Sequence, residues 1–294
     1  MKITILGANS YLARNMIYFI RQQEDQTLFL YDYQEKQVDD APGYMQVNLL
    51  DGTQLEKINL DVDILYLFTG KTGTVQGFED CDTFLDVNER VLLHVLNAMK
   101  IWCSKAKLIF PSTRLVYKGK PGTLQESSEK EFKTVYAMNK YACEQYLNMY
   151  HNMYGIDYCI FRICVPYGTM IPNASSYGTA EFMLGKANRG ENISLYGDGS
   201  ARRTLTHMED LCRTLWFAGR DDRVKNDVYN IGGENYSLVE MAQLIAARFG
   251  IGVEFVPWPD AALKVESGDT VFDDTKLQRI IEVKREHSFE QWIG

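Results

Sequence analysis

The sequence predicts an α/β fold, a doubly wound parallel sheet followed by a smaller, less regular part. Three observations carry this prediction. The chain opens with a β-rich run at residues 2–6, a tight glycine turn and then helical apolar spacing. Strand-like and helix-like runs then alternate as far as Gly168, the pattern of parallel strands joined by crossover helices. Beyond Gly168 the alternation loosens, which divides residues 1–168 from 169–294, with segments at about 201–233 expected to return to the first domain.

Bulk properties narrow the class before any motif is read. At 294 residues the chain is long enough to bury a large core, and 46% apolar with 24% charged residues excludes general disorder. The formal charge of −8 argues against non-specific binding to nucleic acid or to an anionic membrane. It leaves open a phosphate-bearing ligand, held by local arginines or a helix N-terminus. No apolar run is long enough to span a bilayer, and the strand-like N-terminus has no signal-peptide pattern, so a cytoplasmic location is expected. Cysteines 81, 103, 143, 159, 164 and 212 and histidines 94, 151, 207 and 287 show no ligand spacing, so no metal is predicted.

The first element, Lys2 to Leu6, runs into Gly7-Ala-Asn-Ser10-Tyr11-Leu12-Ala13 and a helix through Met16, Ile17 and Ile20. Strand, glycine turn and helix open a dinucleotide-binding βαβ unit. Ser10 replaces the middle glycine of that motif, and its hydroxyl is itself a phosphate donor. The second strand, Leu28 to Tyr31, ends at Asp32, nineteen positions after Ala13. An acid at that spacing accepts hydrogen bonds from a ribose and repels a 2′-phosphate, which favours NAD over NADP. Read alone, Asp32 is equally a strand-terminal turn residue.

Two more strand-like runs follow, Tyr44 to Val47 and Val62 to Phe68, the second ending in Thr69-Gly70 where a cofactor would lie. Phe84 to Ser104 has the apolar spacing of one long core or interface helix. The next strand, Lys107 to Phe110, leads to Ser112-Thr113-Arg114. After a polar loop a helix carries Tyr136 and Lys140, four residues apart and so on one helical face. A phenol beside a cation is a tunable acid, although packing of a tyrosine ring with a snorkelling lysine gives the same spacing. A sixth strand, Asp157 to Phe161, precedes Arg162 and Val165-Pro-Tyr167-Gly168; Pro172 to Gly178 reads as a loop, Glu181 to Asn188 as a short helix and Leu238 to Phe249 as another.

Taken in order, Gly7…Ala13, Asp32, Ser112-Thr113…Val116-Tyr117, Tyr136-x-x-x-Lys140, Arg162…Tyr167-Gly168, Tyr196-Gly-Asp-Gly-Ser…Arg203…Asp210 and Tyr229-Asn-Ile-Gly-Gly resemble the extended short-chain dehydrogenase/reductases, specifically the nucleotide-sugar epimerase/dehydratase group. The resemblance implies a Rossmann-type sheet with a C-terminal substrate-binding domain and a bound NAD. It implies that Tyr136 is the acid/base, that Lys140 holds the nicotinamide ribose and lowers the tyrosine pKa, and that Thr113 binds the reacting hydroxyl. Gly7, Ser10, Tyr11, Leu12, Asp32, Asn48, Leu49, Phe68, Thr69, Gly70 and Lys140 are the implied cofactor residues. Asn48 stands where many members have an aspartate against adenine.

Arg203 matches the arginine that holds a nucleotide diphosphate, with a plain surface arginine as the alternative. Val165 replaces a common substrate-contacting asparagine. Members that eliminate water or decarboxylate carry acids just after the active-site threonine, whereas this chain has Arg114 and Leu115, which disfavours both reactions. Arg114 reads either as a solvent-facing residue or as a contact to an acidic or oxygen-rich sugar. The implied function is an NAD-dependent nucleotide-sugar epimerase acting by transient oxidation at C4. A keto-sugar reductase and a non-catalytic NAD-binding protein are the alternatives. A homodimer through residues 84–104 and 136–153 is a further implication.

Overall fold

The computed structural model describes residues 1–172, 174 and 178–294. Most of the loop expected at Pro172 to Gly178 therefore lies outside the described residues. The larger sheet has seven strands, edge to edge Val228–Asn230, Tyr158–Ile163, Lys107–Thr113, Ile64–Leu67, Lys2–Leu6, Thr27–Asp32 and Tyr44–Gln46. Every pairing within it is parallel. The chain winds outward in both directions from Lys2–Leu6. The order therefore reverses between that strand and Ile64–Leu67, and a crevice opens there at the carboxyl ends of the strands.

Buried strands such as Ile64–Leu67 and Tyr158–Ile163 are apolar along nearly their whole length because helices cover both sheet faces. One face packs against the helices Tyr11–Ile20 and Met208–Arg220, through Met16, Ile20, Leu211 and Leu215. The other face packs against Val91–Ile101 and Val135–Tyr154, through Leu92, Val95, Leu96, Cys143 and Leu147. Val135–Tyr154 starts where the Thr134 hydroxyl accepts from the Ala137 amide at 3.0 Å, and it ends at Gly155 with φ +71°.

A third core, with Val116, Val165, Tyr167, Met241 and Phe289, belongs to a smaller layer. It holds a three-stranded sheet of Val165–Tyr167, Arg202–His207 and Glu234–Ser237. The chain from 201 to 233 serves both layers: Arg202–His207 joins this sheet, whereas Met208–Arg220 and Val228–Asn230 join the large one.

One expectation is corrected. Residues 84–104 are not one helix: Cys81–Leu85 passes through a π-helical turn at Asp86–Arg90 into Val91–Ile101. The wider turn rotates Asn88 inward, where it is 4% exposed.

Candidate active site

The turn after Lys2–Leu6 is forced by space. Gly7 has φ +81°, and a Cβ on it would lie 2.6 Å from the Thr69 amide nitrogen. The first and fourth strands can approach each other at the crevice only because that atom is missing. Ser10 caps the helix Tyr11–Ile20 by accepting from the Ala13 amide at 3.4 Å. The N-terminus of a helix is where its dipole stabilises an anion.

Asp32 ends its strand 6% exposed, accepting from the amides of Asn9 at 3.0 Å and Gln34 at 3.2 Å. Two amides use only part of a carboxylate's acceptor capacity. Gly7, Ser10, Asp32, Asn48, Leu49, Phe68, Thr69 and Gly70 line one cavity of ≈ 640 Å³. Within it the Thr69 hydroxyl oxygen is buried without a hydrogen-bond partner, so a polar ligand atom is the natural complement. The orphaned hydroxyl, the Gly7 cradle and the Asp32 acceptor fit a dinucleotide.

Tyr11 and Leu12 contribute differently. The Tyr11 hydroxyl donates to the Gly168 carbonyl and Leu12 packs on the core, and neither residue lines the cavity.

Beyond this cavity one helix carries Tyr136 and Lys140 and one strand ends in Thr113. Lys140 is 4% exposed, and its ammonium donates to the Pro111 carbonyl at 2.9 Å, 4.4 Å from the Phe110 ring centre and 6.0 Å from that of Tyr136. A Cβ on Gly70 would be 3.7 Å from the same nitrogen, which places Lys140 at the rim of the cofactor cleft. Burial pulls Lys140 down to about 8. Tyr136 stands one turn earlier on the same face, half-buried. Thr113 ends the strand two residues beyond Pro111, is 7% exposed, and accepts from the Leu115 amide at 3.3 Å.

Of the three residues expected to meet substrate, Val165 is 8% exposed on its strand, paired with Leu205. Arg114 is half-buried, and its guanidinium donates to the Ser267 hydroxyl at 2.6 Å. Arg203 is no surface arginine: it is 2% exposed and bound to Glu266 at 2.6 Å.

Sequence reading missed Asn88. Its carboxamide accepts from the Lys71 amide at 2.9 Å and donates to the Lys71 carbonyl at 3.1 Å, which fixes the loop after Thr69-Gly70. It also missed Thr83, Val87 and Val91, which line the cofactor cavity. Their four-residue spacing was the available signal, a stripe facing the cleft. Among the described residues no group of three or more His, Cys, Asp or Glu side chains is arranged to hold a metal. No helix among them is long and apolar enough to cross a membrane.

Fold and site together define a Rossmann-type oxidoreductase scaffold built to hold a nicotinamide dinucleotide beside a tyrosine and a lysine. The chain belongs to the NAD-dependent epimerase/dehydratase family, whose pattern it matches over residues 3–232. It is 24% identical over 217 residues to a putative UDP-glucose 4-epimerase of Methanocaldococcus jannaschii, covering 72% of this chain and 70% of that one. It is 23% identical over 224 residues to a CDP-paratose 2-epimerase of Salmonella typhi, covering 67% of this chain and 66% of the relative. The chain thus aligns with about two thirds of the length of these curated relatives. Among solved structures, the UDP-glucose 4-epimerase of Thermus thermophilus in complex with NAD superposes with a TM-score of 0.86 at 20% identity, over 100% of this chain and 96% of that one. At this identity the likeness carries the fold.

Proposed function

We propose that the chain is an NAD-dependent nucleotide-sugar epimerase that oxidises and then re-reduces one sugar carbon, C4. The observation that carries this reading is the placement of Lys140, buried at the cleft rim, bound to the strand that leads to Thr113, and one helical turn from Tyr136. NAD, when bound, supplies a hydride acceptor that returns the hydride. The residues that would hold it are Gly7, Ser10, Asp32, Asn48, Leu49, Phe68, Thr69, Gly70 and Lys140, with Tyr11 and Leu12 contributing backbone.

Tyr136 takes the proton of the reacting hydroxyl. A free phenol titrates near 10, so the work at neutral pH falls to the Lys140 charge, which favours the phenolate. Thr113 hydrogen-bonds the same hydroxyl and orients it. Arg114 and Leu115 carry no carboxylic acid, so the chain attaches no elimination step at this position. Val165 and Arg203 belong to the substrate side. The putative UDP-glucose 4-epimerase relative supports the choice of C4. The same reading includes a cytoplasmic location and a homodimer, and the exposed apolar surface of Ile101, Met149 and Met153 on the two helices concerned supports the dimer.

The test incubates the protein with UDP-glucose, UDP-galactose, UDP-glucuronate and UDP-N-acetylglucosamine, with and without NAD, and separates the products. The expected result is interconversion of a C4 pair with no net change in absorbance at 340 nm. Stoichiometric consumption of added NADH by a keto-sugar, without epimer formation, replaces this reading with that of a reductase.

A further inference from the structure

The strand that ends in Thr113 breaks its own apolar pattern one residue early. Leu108 and Phe110 belong to the core that this sheet face forms with Cys143 and Leu147 of the helix Val135–Tyr154. Successive side chains of a strand alternate between faces, so the next position on that face is Ser112, a hydroxyl where an apolar side chain would continue the core. Ser112 is 5% exposed, and a hydroxyl so placed costs free energy unless it is bonded. Its partner is the Glu144 carboxylate at 2.5 Å, itself 2% exposed.

Charge balance does not account for this bond. Arg162 stands directly beside Ser112 on the neighbouring strand, and its guanidinium already holds both Glu144 oxygens, at 2.9 Å and 2.5 Å. The bidentate pair is complete in charge without the serine. What Ser112 adds is position. Tyr136, Lys140 and Glu144 follow at four-residue steps along one stripe of the helix. Lys140 donates to the Pro111 carbonyl at 2.9 Å, and Ser112, the next residue of the strand, donates to Glu144, the next residue of the stripe. Two consecutive strand residues are thus fastened to two consecutive turns of the helix, immediately before Thr113. A single fastening fixes a distance, whereas two also fix the angle between strand and helix.

We propose that Ser112 is a positioning residue for the reaction: its bond to Glu144 seats the strand end at Thr113 against the helical stripe that carries Tyr136, so that both hydroxyls meet one substrate hydroxyl. The inference rests on the epimerase reading above. Tyr136 and Thr113 lie on different elements, so their separation is set by how that strand and that helix sit on each other. Misplacing a reacting group by about 1 Å costs on the order of a hundredfold in rate. The cofactor side depends less on this bond. Gly7, Asp32 and Thr69 lie on other strand ends, and Lys140 keeps its own bond to Pro111.

The experiment compares Ser112→Thr, which keeps the hydroxyl, with Ser112→Val, which puts a methyl in its place at nearly the same shape; both side chains suit a strand. Each is assayed for kcat and KM on the nucleotide sugar that the wild-type protein interconverts, with NAD affinity from fluorescence titration and the urea midpoint alongside. Ser112→Val is expected to lower kcat about ten- to a hundredfold with KM and NAD affinity unchanged, the split that marks an interaction felt in the transition state. Ser112→Thr is expected to recover most of that loss. Ser112→Ala, which adds no bulk, replaces Ser112→Val if the valine does not fold, and the same loss is expected. Wild-type kcat in Ser112→Val or Ser112→Ala, an equal loss in Ser112→Thr, or a raised KM at unchanged kcat would each overturn the proposal. A wild-type protein that interconverts no nucleotide sugar overturns the epimerase reading instead, and takes the positioning role with it.

Discussion

The Glu144 carboxylate accepts a hydrogen bond from the Ser112 hydroxyl at 2.5 Å, which ties the helix bearing Tyr136 and Lys140 to the residue beside Thr113. The same carboxylate pairs with Arg162, and both side chains are nearly fully buried. Arg162 continues to the Tyr117 hydroxyl at 2.8 Å, which donates to Asn230 at 2.6 Å. Removing Glu144 strands the Arg162 charge. Glu144→Ala is therefore expected to cost about 3–5 kcal/mol in urea denaturation, and adding Arg162→Met to recover much of it. A single-variant loss below about 1 kcal/mol would contradict this account.

Lys140 should leave a signature in the pH dependence of stability. Its folded pKa, about 8, lies below the ordinary 10.5 because burial disfavours the charged form. Between those values the unfolded chain holds more protons, so this group makes stability rise with pH across the window from about 8 to 10.5. Below pH 8 the burial cost is fully present. Lys140→Met is expected to be more stable relative to wild type at pH 7 than at pH 10, the gap shrinking by up to about 3 kcal/mol. Denaturation midpoints at both pH values measure it, and a constant gap would mean that Lys140 is not desolvated.

Much of this site was legible because its signals are local in the chain. Gly7 and Asp32 are tied to consecutive strands by short connections, and Tyr136 and Lys140 are neighbours on one helix. Thr69 and Gly70 follow a strand end directly. Asn88 was hidden because apolar spacing from 84 to 104 reads as one helix, and a π-turn leaves that spacing almost intact. The Arg203–Glu266 pair joins residues 63 positions apart, brought together by tertiary contacts that include Ser267 with Arg114 and Lys133 with the Glu266 carbonyl. Arg203 was expected to face a ligand; that an internal carboxylate occupies it is a tertiary fact with no periodicity to announce it.

The choice of NAD over NADP depends on Asp32. Its carboxylate is fixed by the amides of Asn9 and Gln34 at the edge of the cofactor cavity. A fixed anion accepts from ribose hydroxyls and repels a 2′-phosphate. Asp32→Gly is expected to weaken NAD about tenfold and to narrow the preference over NADP by at least as much, the scale of a hydrogen bond to a charged group. Fluorescence titration with both cofactors reads the two numbers. An unchanged preference would assign the discrimination elsewhere.

Gly7 gives the sharpest test of where the cofactor lies. At φ +81° an alanine is strained by about 1–2 kcal/mol, and its Cβ would lie 2.6 Å from the Thr69 nitrogen and 2.8 Å from the Phe68 carbonyl carbon. Both neighbours are backbone at the end of Ile64–Leu67, so relief requires the first and fourth strands to part at the crevice. Gly7→Ala is accordingly expected to lower the melting temperature and to abolish measurable NAD binding together. Gly52 provides the control, because a Cβ there meets nothing within 4 Å and its φ is not positive. Gly52→Ala is expected to leave both properties unchanged. Wild-type NAD affinity in a folded Gly7→Ala protein would remove the dinucleotide from this cleft.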